Sequence, residues 1–153
     1  MMRMGTPIST GLGLTISGRL LSAPLEVLSI EGEESANALY EFRVRFTADP
    51  RDELAADRSL LHMPGQVTLG PASDARVVYG LVTKLVTEVG SIGRRPVYRA
   101  HIGPRATLLE KRRHCRIFQD QSVVQIVTSL FADHRIVYRT RLVGQYPARA
   151  YVV

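Results

Sequence analysis

His114 stands directly before Cys115, the chain's only cysteine, and a thiol beside an imidazole is the pairing from which a cysteine nucleophile is built. Adjacent residues on an extended chain point to opposite faces, however, so this pair is poorly aimed at one substrate atom. The expectation for Cys115 is a buried or half-buried structural thiol. A serine nucleophile has no local signature, since no Gly-x-Ser-x-Gly elbow is present. The four histidines, His62, His101, His114 and His134, are far apart in sequence, with no two at the i, i+4 spacing of a helical metal site and no Cys-x-x-Cys to help them. Gly11-Leu12-Gly13 lacks the later lysine or third glycine that a phosphate cradle needs. From residue types and spacing, no catalytic, cofactor-binding or metal-ligating residue is expected.

The densest charge lies in Lys111-Arg112-Arg113-His114-Cys115-Arg116. Such a run can grip a phosphate backbone, but no interleaved aromatic residue gives bases a stacking platform. It also reads as the solvated end of a short helix, where cations suit the C-terminal dipole, or as an edge facing a protein partner. Arg112 and Arg113 are therefore candidate interface residues, with Arg43 and Arg45 on a strand face described next.

The elements that must carry these residues are mostly strands. Over Leu39–Ala48, Tyr40, Phe42, Val44 and Phe46 alternate with Glu41, Arg43, Arg45 and Thr47, the period-two pattern of a half-buried strand with a charged outer face. Residues 13–18, 25–31 and 66–70 read as shorter strands. Leu54, Ala55, Arg58 and Leu61 suit one or two helical turns, ended by Pro64-Gly65. A strand over 76–89, with a bulge or close backbone approach at Gly80, leads through a loop at 90–93 to a partner over 96–103. There Tyr98, Ala100 and Ile102 share one face, and Arg99 and His101 the other. Residues 104–111 have helical character and 115–118 are extended. Ser122 and Gln125 make a capping box, and Val123, Ile126, Val127, Leu130 and Phe131 form one apolar stripe of the helix that follows. Residues 136–142 alternate again, and the last three residues, Tyr151-Val152-Val153, are extended in character. An ending of that kind suggests a chain cut from something longer.

The 153 residues, 45% hydrophobic and 22% charged, fit one ordinary domain able to bury a core, or one domain with an appendage. The net charge of +6 invites a nucleic-acid partner, yet the cations are spread along the chain and only Lys84 and Lys111 are lysines. Arginine so distributed serves protein interfaces well. A lone cysteine fits a reducing compartment, and neither a signal peptide nor a membrane span is read.

One stretch has a family look. Residues 104–124, from Pro104 through Arg-Ile-Phe-Gln-Asp (116–120) to the Ser-Val helix start, resemble a segment shared by VgrG spike proteins of type VI secretion. Tyr146, Pro147 and Arg149 match a later part of that pattern. Tyr40-Glu41-Phe42, Leu60 to Gly65, Tyr79-Gly80-Leu81-Val82-Thr83 and Tyr98-Arg99-Ala100 extend the similarity over nearly the whole chain.

The resemblance implies a mainly β fold with some α: a barrel-like antiparallel sheet of the phage tail hub type, with a packing helix near residues 122–134. Residues 1–103 would form the hub barrel module and 104–153 its helix-containing continuation, stopping before the second barrel and needle of the family. It implies a non-enzymatic assembly role in a contractile injection spike. The partners it implies are two further copies in a homotrimer, and inner-tube and baseplate proteins. Such proteins are made in the cytoplasm and leave through the apparatus without a signal peptide. The rival reading is a basic β-barrel that binds nucleic acid.

Overall fold

The structure, a computed structural model, describes residues 11–18, 20–54, 58–110 and 115–153. Two compact units divide them, one ending at Thr107 and the other covering Leu108–Val153.

The first unit is one curled antiparallel sheet. Its strands are β1 (Leu12–Ile16), β2 (Glu26–Glu33), β3 (Glu41–Thr47), β4 (Pro64–Leu69), β5 (Arg76–Ile92) and β6 (Arg95–Gly103). They are ordered β1-β4-β5-β6-β3-β2, with every neighbouring pair antiparallel. The alternation over 39–48 works as its chemistry requires. In the β3–β6 register Phe42 faces Ile102, Val44 faces Ala100 and Phe46 faces Tyr98, and all six are buried. The Phe46 and Tyr98 rings stack with centroids 5.7 Å apart. Leu14, Ile16, Val67, Val78 and Val82 complete this core from β1, β4 and β5. Curling lets one face bury against itself, so the sheet needs no second layer. The outermost strands β1 and β2 approach one another, but no hydrogen bond joins them among the described residues.

Asp52 ties the loop after β1 to the far side of β3. Its buried carboxylate accepts a hydrogen bond from the Ser22 backbone N–H at 2.8 Å. The short 3-10 turn that carries it, Pro50–Asp52, starts on Asp49, whose carboxylate accepts from the Arg51 N–H. The helical turns expected over 54–61 are instead this turn and a second 3-10 turn at Arg58–Leu60, with Ala55 in the expected set lying outside the described residues. Pro64 does not stop a helix; it opens β4, the first position of a strand being one where a missing N–H is tolerated.

Gly80 is a point of close approach, as expected, but not a bulge. A Cβ there would lie 2.6 Å from the Gly103 carbonyl oxygen, so only glycine lets β5 and β6 meet. The irregularities of β5 fall later, between Val82 and Lys84 and between Thr87 and Ser91. With that slack β5 runs to Ile92, and the chain reverses at Gly93-Arg94 rather than over 90–93. Gly93 has φ +63°, the positive value that a type II′ hairpin needs at its first central residue.

The second unit contains α1 (Thr107–Glu110, begun on the last residue of the first) and α2 (Val123–Asp133). α2 begins on the expected capping box: Ser122 Oγ accepts from the Gln125 N–H, and the Gln125 side chain accepts from the Ser122 N–H at 2.8 Å. It ends in a Schellman motif, with the Arg135 N–H donating to Ala132 and the Ile136 N–H to Phe131. Arg135 takes the left-handed position of that motif, φ +52°, without being glycine. Residues 136–142 form no strand, contrary to their alternation. Among the described residues no strand pairs with them, and a period of two alone cannot supply one. The chain does pair once more, through antiparallel bridges Phe118–Val152 and Gln121–Arg149.

Candidate interaction surface

The outward face of the curled sheet carries a ladder of charges. β3 places Arg43 and Arg45 there, both candidate interface residues, opposite His101 and Arg99 of β6. Two like charges directly across from one another destabilise a sheet unless a counter-charge intervenes. Glu88 of β5 supplies it. Its carboxylate accepts from Arg45 Nε and Nη2 at 2.8–3.1 Å and from Arg99 Nη2 at 2.5 Å. Hydrogen bonding from Arg45, reinforced by the charges of both arginines, lowers the Glu88 pKa, and the same bond raises that of Arg45. Further along, Glu41 lies 3.0 Å from His101 Nδ1, Arg43 Nε lies 3.6 Å from Glu31, and Arg95 meets Glu26 at 2.9 Å. Arg43 Nε itself is buried with no hydrogen-bond acceptor.

Arg43 and Arg45 thus stand on one face, but they are not free cations waiting for an anion. Arg45 is clamped by a bidentate fork, a pre-set geometry that a partner meets as a rigid shape. Arg112 and Arg113 lie outside the described residues. Residue spacing missed Glu88, because 43 residues separate it from Arg45. Only the strand register brings them together; outward charges of opposite sign on β3 and β5 were the available hint.

Cys115 is exposed, which corrects the expectation of a buried or half-buried thiol. The chain at 115–117 has no strand or helix to pack it. It lines a shallow hollow of the second unit with Arg116, Phe118 and His134. Among the described residues no group of three or more His, Cys, Asp or Glu is placed to hold a metal, and no helix is long and apolar enough to cross a membrane.

The second surface surrounds α2. Of its apolar stripe only Ile126 is buried, while Val123 and Val127 remain 51% and 39% exposed. With Phe131, Tyr138, Leu142 and Tyr146 they line an open groove of about 350 Å³, whose charged lining residues are Arg139 and Arg141. The stripe was legible in the sequence; that the following segment would form a groove with it was not.

Comparison with known proteins bears on both surfaces. The phage tail baseplate hub (GPD) family matches residues 33–153. The type VI secretion system spike protein VgrG4b of Pseudomonas aeruginosa is 32% identical over 148 residues, covering 94% of this chain and 17% of that protein. VgrG5 of the same organism is 33% identical over 131 residues, 82% of this chain and 16% of its own length. The chain therefore spans less than a fifth of these relatives. Among solved structures, the Escherichia coli c3393 protein superposes with a TM-score of 0.73 at 28% identity, over 91% of this chain and 38% of that one. It is described as a component of the type VI secretion system with structural similarity to the T4 bacteriophage tail proteins gp27 and gp5. None of these relatives supports the nucleic-acid alternative; they are spike and secretion-system components. By residues 33–153 and by its curled antiparallel sheet, the chain belongs to the phage tail baseplate hub (GPD) family, with VgrG spike proteins among its relatives.

Proposed function

We propose that this chain is a non-catalytic structural component of a type VI secretion spike or a related contractile injection device. It acts in assembly, closing a homotrimer with two further copies and docking to inner-tube and baseplate proteins. Residues 1–103 supply the hub barrel module and 104–153 its continuation. The protein is made in the cytoplasm and delivered through the apparatus rather than by a signal peptide. The observation that carries this reading is the hub-family match over 33–153 combined with the superposition on a type VI secretion component. The charged sheet face supports it as well: a rigid, internally neutralised array with Arg43 and Arg45 at its centre suits a geometrically defined protein contact better than a diffuse polyanion.

Light scattering on the purified chain is the first test, with a mass three times 17.0 kDa expected. The second is co-purification with an inner-tube protein encoded beside it. Replacing Arg43 and Arg45 by glutamine should abolish capture, with circular dichroism checking that the sheet is still formed. A monomer that ignores the tube protein would overturn the proposal, as would salt-steep binding to nucleic acid in a filter assay.

A further inference from the structure

The groove beside α2 is lined mainly by apolar side chains, with two arginines among them. Val123, Val127, Phe131 and Leu142 present apolar surface, and Arg139 and Arg141 stand among the lining residues with no carboxylate beside them. Among the described residues neither arginine has a salt bridge, whereas Arg116 of the same unit is paired with Asp133 at 2.8 Å. Residues 108–153 also hold eight of the chain's 20 Lys and Arg but three of its 14 Asp and Glu. The unit lacks the anions its own cations would need.

We infer that this groove binds an acidic amphipathic segment of another protein, its apolar side chains entering the hollow and its carboxylates meeting Arg139 and Arg141. This is helix-in-groove recognition with charge setting the specificity. A second copy of the chain is a poor occupant. Its ion pairs already engage Glu26, Glu31, Glu34, Glu41, Asp49, Glu88 and Asp133. The described carboxylates outside those pairs, Glu33, Asp52, Glu53, Asp74, Glu110 and Asp120, are scattered along the chain; only Asp52 and Glu53 adjoin, and Asp52 is buried. None belongs to an acidic face with an apolar one behind it. Nucleic acid is an outcome the test must separate: Phe131, Tyr138 and Tyr146 offer stacking faces, but Val123, Val124, Val127 and Leu142 make the rest of the lining aliphatic. The inference rests on the groove alone and does not need the spike assembly.

The probe is a fluorescein-labelled synthetic helix about 16 residues long, roughly four turns, with leucine and phenylalanine on one stripe and glutamate opposite. Anisotropy titration with the full chain should show saturable binding. The double variant R139E/R141E should weaken it about tenfold or more, and a peptide with lysine in place of glutamate should recover binding to that variant only. Val127→Asp should abolish binding of both peptides, with circular dichroism reporting that α2 is still formed. Four results would overturn the inference: no saturable binding to the native chain, equal binding of the acidic and basic peptides, tighter binding of a DNA oligonucleotide of similar length, or self-association that Val127→Asp removes. Loss of trimer or tube binding in the assays above would leave this result untouched.

Discussion

The β unit and the helical unit use the same residue types to opposite ends. In the sheet, every described Arg of β3 and β6 is within reach of a carboxylate, and the aromatic side chains Phe42, Phe46 and Tyr98 are buried. Around α2, two arginines have no carboxylate partner among the described residues, and Val123, Val127, Tyr138 and Tyr146 are exposed to various degrees. The β3–β6 face of the first unit satisfies itself, although Tyr79, Val89 and Ile92 stay exposed along β5. The second has charge and apolar area left over, which is what a surface destined for a partner retains.

The sharpest way to break this contrast is Phe46→Ala. Truncating a fully buried aromatic should cost about 3–5 kcal/mol, measured by denaturant unfolding. If the units are independent, the β signal is lost first while α2 keeps its helical circular dichroism. Loss of both at one midpoint would show that they fold as a single cooperative body.

Ser122→Ala attacks the other side. Removing the cap should cost the helical unit about 1 kcal/mol, read as reduced helicity with the sheet's transition unmoved. Arg135→Gly should do the reverse. A non-glycine residue in the left-handed region carries a penalty of roughly 1–2 kcal/mol, so relieving it at φ +52° should raise the helical unit's melting temperature, less a part lost to glycine's added freedom when unfolded.

The smallest expected effect is electrostatic. Glu88 has its pKa depressed by Arg45 and Arg99, so the folded state holds fewer protons on it than the unfolded chain does. The stability this brings is present above the ordinary carboxylate value of 4.5 and fades as pH falls through the lower, folded value. Asp49, lowered by its bonds from Arg51, acts in the same direction. Acid titration of the β unit should therefore show declining stability below about pH 4.5, and Glu88→Gln should flatten that slope. An unchanged slope would mean that the clamp is spent on geometry rather than stability.

What could be read from the sequence was whatever short-range pattern determines. The alternation around Val44 and the capping box at Ser122 and Gln125 are local signals, and both elements form as expected. The sheet class follows from repeated alternation with turn residues between. Local signals failed where a neighbour decides. Pro64 opens a strand because β1 and β5 flank it. The bulge falls after Val82 rather than at Gly80 because register with His101 is set across the sheet. The 136–142 alternation yields no strand because no described strand pairs with it. The candidate surface was legible in kind, arginines on a strand face, and hidden in detail, since the Glu88 that governs them is remote in sequence.

The seam between β1 and β2 carries a mechanical meaning. Every other neighbouring pair in the sheet is joined by a ladder of hydrogen bonds; among the described residues this gap is not, although β1 and β2 lie close. A sheet with one such unladdered gap opens more readily there than along its hydrogen-bonded neighbours. Backbone amides along the free sides of Leu12–Ile16 and Glu26–Glu33 would report that breathing by exchanging with solvent earlier than those of β3 and β6.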